Sequence, residues 1–139
     1  MRVYRIRHDG NHYQSFKPKQ PGDWRKMVFD CSPKGGTWSP PQLTMETGQE
    51  LGQVFKAGDF YQFSSDMIIT SPRATEILRP FLELAGELLP FQYQGVTYTL
   101  LNVTACIDCL DDEKSESSYS RSGIRLHIKR FEFRLDRLP

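Results

Sequence analysis

Hydrophobic and polar positions change their period several times along this chain, and the changes mark its elements. In the N-terminal third, Tyr4 and Ile6 alternate with Arg5 and Arg7, and Met27, Phe29 and Cys31 recur at every second residue. Both stretches predict short strands, over 2–7 and 25–31, because side chains of a strand point alternately to opposite faces. Asp9-Gly10, Pro21-Gly22, Gly35-Gly36 and Pro40-Pro41 punctuate the same third and leave room only for short elements. Residues 42–58 show no clear period and are expected to be mostly irregular.

The middle of the chain is the most regular. Asp66 to Thr70 is a β-branched run, and Ser71-Pro72 then opens a helix. Ser71 can cap the free amides, and proline at the first helical position gives up only a hydrogen bond that was absent anyway. Ala74, Ile77, Leu78 and Phe81 carry helical spacing, while Pro80 is expected to end or kink the helix near Leu78. Two strand-like runs follow, 88–93 and 96–104, joined by Gln94-Gly95. Two residues ending in glycine between such runs predict a β-hairpin. The serine-rich stretch 111–123 reads as a long exposed loop. In the last run, Ile124, Leu126 and Ile128 share one parity, whereas Phe131, Phe133 and Leu135 share the other. A strand cannot change its buried face without an irregularity, so a bulge or bend is expected near Lys129-Arg130. The sum is an α+β fold, mainly antiparallel sheet with one short helix near residues 71–80, in a single domain over 1–139.

Composition narrows the class. With 38% hydrophobic and 25% charged residues, the chain matches a globular protein and not a disordered one. A net charge of +1 gives no reason to expect a polyanionic partner, so nucleic acid is not the expected one. The longest nearly apolar stretch, Leu84 to Phe91, falls far short of the ~20 residues of a membrane helix. The basic start leads to His8-Asp9-Gly10 and not to an apolar signal core, so a soluble, cytoplasmic protein is expected. Cys31, Cys106 and Cys109 are an odd number, read most simply as reduced thiols.

Candidate chemistry is sparse. Cys106 and Cys109 have the spacing of a redox or zinc pair, but they follow a strand and precede an acidic segment, which disfavours the thiolate. Residues three apart on a strand also point to opposite faces, so no metal site is expected. His8 and His12 fall on a turn, and His127 points outward between Arg125 and Lys129. No phosphate loop, nucleophile elbow or zinc-protease motif occurs, so no catalytic residue and no cofactor are assigned. The run Lys129 to Arg134 mixes cations with Phe131 and Phe133, as a single-stranded nucleic-acid surface does, yet an inward and an outward strand face explain the same pattern. Asp108, Asp111, Asp112, Glu113 and Glu116 concentrate negative charge opposed only by Lys114. Such a cluster can steer a cationic partner, and these five are the candidate partner-binding residues.

The stretch Ile68-Ile69-Thr70-Ser71 before a helix, then Leu100-Leu101-Asn102-Val103-Thr104, then Asp108-Cys109-Leu110-Asp111 with Ser115, resembles the eleventh family of polymorphic-toxin immunity proteins. The resemblance spans roughly residues 60–137, and the N-terminal third matches only in its opening Arg2-Val3-Tyr4-Arg5. It implies a cytoplasmic bacterial protein that binds and neutralises a cognate toxin, and no catalytic residue is carried over from it. The family pattern continues past the last strand with another strand and a helix; this sequence ends at Pro139. The alternatives are a general protein-interaction module without a toxin partner and, after it, an enzyme or a nucleic-acid-binding protein. Strand edges in a sheet-rich protein also invite pairing into a homodimer.

Overall fold

The computed structural model describes residues 8–20, 22–23, 27–64 and 67–138. The chain divides into two compact units, Met1–Ala105 and Cys106–Pro139. The class is α+β with antiparallel sheets, as the periods predict.

The first unit is built on a four-stranded antiparallel sheet of β3 (Phe60–Ser64), β4 (Met67–Thr70), β5 (Gly86–Tyr93) and β6 (Val96–Val103), in the order β3-β4-β6-β5. Register sets its faces. Tyr61 pairs with Ile69, Ile69 with Leu100, and Leu100 with Leu89, so these side chains and Phe91 share one face. Onto that face a ribbon of β1 (Ser15–Pro18) and β2 (Leu43–Glu46) lays Phe16, which is 1% exposed. The Phe16 ring sits 5.1–5.4 Å from the rings of Tyr61, Phe91, Tyr93 and Tyr98. Edge-on aromatic packing of this kind adds to the area each ring buries. Met27 and Phe63 complete the buried cluster, and burial raises the Tyr61 hydroxyl above its ordinary pKa.

The other face is covered by α1 (Pro72–Ala85). Ser71 Oγ accepts a hydrogen bond from Ala74 N at 3.1 Å and donates to Asp59 Oδ1 at 2.6 Å, so the predicted cap is built and itself held. Thr75 Oγ1 donates to Ser71 O and lies 2.7 Å from Thr70 Oγ1, which ties the first turn to β4. The helix continues past Pro80 to Ala85, longer than expected. Pro80 lies on the exposed side, where a carbonyl without an amide partner stays hydrated, and Leu82 and Ala85 turn towards the sheet. The helix passes straight into β5 at Gly86, whose Cβ position would lie 1.9 Å from Asn102 O. Only glycine fits so close to a neighbouring backbone. β5 is an edge strand and carries Pro90, whose carbonyl accepts from Trp38 Nε1 at 2.7 Å.

Other expectations are corrected. Residues 27–31 form no strand: Met27 is buried and Val28 is 60% exposed, but no ladder partner joins them and Cys31 turns the chain at φ 64°. The segment 42–58 contains β2, and β3 was not anticipated. The expected strand over 2–7 lies outside the described residues. Among the described residues, no helix is long and apolar enough to cross a membrane.

In the second unit, β7 (Glu116–Tyr119) pairs antiparallel with β8 (Arg125–Arg130), so part of the expected loop is a strand. Lys129 has no opposite residue between the pairs Ser117–Ile128 and Glu116–Arg130, which places an irregularity where the parity change requires one. No hydrophobic side chain of this unit is fully buried among the described residues.

Candidate partner-binding surface

The acidic residues of the second unit have different tasks. Asp111 is 9% exposed and fixes a turn: its backbone N donates to Glu132 O, its carbonyl accepts from Ser115 N, and its Oδ1 accepts from Lys114 N at 3.2 Å. Lys114 Nζ approaches Oδ2 at 3.0 Å. The hydrogen bond from Lys114 holds the Asp111 carboxyl below the usual carboxylate range and raises the lysine in return. Arg134 N donates to Cys109 O, and a bridge pairs Leu110 with Phe133, so residues 109–115 are laced to 132–134.

The other four carboxylates are exposed around this turn. Asp108 Oδ2 accepts from Arg137 Nη1 at 2.9 Å, and Asp112 accepts from Arg125 Nη1. No ion pair involves Glu113 or Glu116 among the described residues. The sequence shows the five charges close together along the chain but not their counterions Arg125 and Arg137, which lie 13 and 29 residues from Asp112 and Asp108. Exposed pairs of this type contribute little, about 0–1 kcal/mol, and can exchange for a partner's cations.

The remaining candidates make local contacts, although the buried His8 Nδ1 has no hydrogen-bond partner among the described residues. His12 Nδ1 lies 2.8 Å from Asp9 Oδ2 within one turn, and His8 Nε2 donates to Gln14 O at 3.1 Å. His127 Nδ1 lies 2.7 Å from Ser118 Oγ, its cross-strand neighbour, and both are accessible on the ribbon. A cross-strand pair accounts for that geometry without catalysis. Phe131 and Phe133 stack on each other at 6.2 Å with planes 10° apart; Phe131 is 43% exposed, so the expected inward face is only partly realised. Among the described residues, no group of three or more His, Cys, Asp or Glu is arranged to hold a metal ion.

The cysteines require a correction. Cys31 and Cys106 are disulfide-bonded, and only Cys109 is a free, half-buried thiol. An odd count leaves room for bonded cysteines beside a free one, and spacing along the chain does not reveal which are bonded.

No family model, curated protein or solved structure matches this chain.

Proposed function

We propose that this chain is a non-catalytic, immunity-type binding protein that captures and neutralises a cognate toxin protein. The supporting observation is the placement of Asp108, Asp112, Glu113 and Glu116 at accessible positions around the turn that buried Asp111 fixes. A rigid turn presents charge with little ordering cost on binding. Weak intramolecular ion pairs can yield to lysines and arginines of a cationic partner, which charge also steers into contact. The likeness of residues 60–137 to an immunity family supports the same reading.

The reading places the chain in the cytoplasm of the toxin's target cell. Disulfides are uncommon there, so the state of Cys31 and Cys106 in vivo, read by thiol alkylation before lysis, tests that placement.

The functional test is growth rescue. A candidate cationic toxin domain is expressed in a sensitive bacterium with and without this chain. Rescue with co-purification of both proteins is the expected result; confirmed expression without rescue overturns the proposal for that pairing. Reversing Asp112, Glu113 and Glu116 to lysine should weaken the complex and flatten its salt dependence. A complex that stays as tight and as salt-sensitive rejects the acidic surface while leaving the toxin-binding reading open.

A further inference from the structure

The helix α1 carries two apolar stripes. One, with Ala74, Leu78, Leu82 and Ala85, turns towards the sheet. The other consists of Ile77, Phe81 and Leu84, which are 62, 70 and 79% exposed. At 3.6 residues per turn these three fall within about 60° of one another. Their four-then-three spacing is that of a coiled-coil seam. The Arg79–Glu83 pair, at 3.1 Å, lies on the opposite side of the helix, and Arg73 lies a full turn before Ile77. The seam itself is uncharged.

It is also symmetric. Ile77 and Leu84 lie equally far along the helix from a point between Pro80 and Phe81. Under a two-fold axis through that point, an antiparallel copy sets Ile77 against Leu84 of the second copy and brings the two Phe81 rings together. An isologous interface needs this property, since one patch must complement itself. The seam supplies most of the area such an interface needs. Large side chains contribute on the order of 150 Å² each, so two copies would bury at most roughly 900 Å² from these residues. A specific interface requires ~1,000 Å², so the pairing must also take in the residues that flank the seam. Surface apolar patches of this size on soluble proteins commonly mark an interaction site.

We infer that α1 pairs antiparallel with α1 of a second copy of this chain, with Phe81 at the two-fold axis. This inference does not rest on the toxin-binding reading, and the sheet edges take no part in it.

Sedimentation of the full chain across the micromolar range tests it. A concentration-dependent dimer is expected, weakened at least about tenfold by Phe81→Glu and retained by Phe81→Leu. Far-UV circular dichroism and thermal melting check that each variant is folded; Leu84→Lys replaces Phe81→Glu should that variant not fold. A wild-type chain that is monomeric throughout overturns the inference, as does a dimer indifferent to both charged variants. Should a monomeric chain instead lose another protein's binding with Phe81→Glu, the seam serves that partner and the inference fails equally. Orientation has its own test. Ile77→Lys and Leu84→Glu each break the dimer alone, and together they restore it in part because antiparallel pairing sets position 77 against 84. A double variant weaker than either single one rejects the antiparallel arrangement.

Discussion

Asn102 Nδ2 donates to Glu87 Oε2 at 2.9 Å from directly across the β5–β6 ladder. The same carboxylate accepts from Lys34 N at 2.6 Å and Gly35 N at 3.2 Å, and Asn102 Nδ2 also donates to Ser32 O at 3.0 Å. One cross-strand pair thus pins the 32–35 loop to the sheet. Asn102 is fully buried, so Asn102→Ala removes two hydrogen bonds and should cost about 1–3 kcal/mol. Urea denaturation checks this, and a cost below the error of the measurement would reject the anchoring role.

The pair has a pH signature. The amide of Lys34, then Asn102 and the amide of Gly35, hold the Glu87 carboxyl below its ordinary value. A lowered carboxylate pKa means that the unfolded chain binds the proton more tightly. The contribution is therefore complete above the ordinary value near about 4.3 and is lost as pH falls towards the folded one. Glu87→Gln should lower the melting temperature at neutral pH and reduce the loss between pH 5 and 3. Parallel acid profiles for both proteins would contradict this.

Gly86→Ala should be among the most damaging single substitutions in the chain. Its Cβ would meet Asn102 O at 1.9 Å and Thr104 N at 2.8 Å, both backbone atoms that cannot turn aside. A loss of at least about 3 kcal/mol is expected. A soluble variant with unchanged melting would show that the helix–strand join is looser than described.

The hairpin turn offers a gain. Gln94 has φ 49° and Gly95 φ 79°, the left-handed pair of a two-residue turn, and glutamine is a poor choice for the first position. Gln94→Gly or Gln94→Asn should stabilise by about 0.5–1 kcal/mol. Its hydrogen-bonding neighbours Gln92 and Thr97 remain untouched, so thermal melting reads the turn alone.

Thiol titration checks the cysteines. The unfolded, unreduced chain should react at one thiol, Cys109, and the reduced chain at three. Three reactive thiols before reduction would contradict the bonded state of Cys31 and Cys106.

Much of the fold was legible because local signals agreed with the tertiary result. Ser71-Pro72 announced the helix start, and Gln94-Gly95 the hairpin. Pro80 misled because its cost is a local matter, whereas the helix's length follows from Leu82 and Ala85 reaching the sheet. Met27 and Phe29 show burial at period two without a strand, so alternation reported an inner and an outer side but not a ladder. β7 left no trace, since Glu116-Ser117-Ser118-Tyr119 is polar on both faces and becomes a strand only by pairing with β8. β3 did leave one: Tyr61 and Phe63 alternate with Gln62, over a stretch too short for its period to be distinguished from irregular chain. Of the acidic surface, sequence revealed the charges but not that Asp111 is a structural residue, because its partner Glu132 O lies 21 residues away.

Pro90 occupies the middle of edge strand β5, and its carbonyl is already engaged by Trp38. A strand arriving at that edge would meet a position with no proton to give and a carbonyl that Trp38 already engages. Pairing of a further strand is therefore disfavoured at Pro90. In a chain so rich in strand, one pyrrolidine ring thus makes this edge a poor template for a further strand.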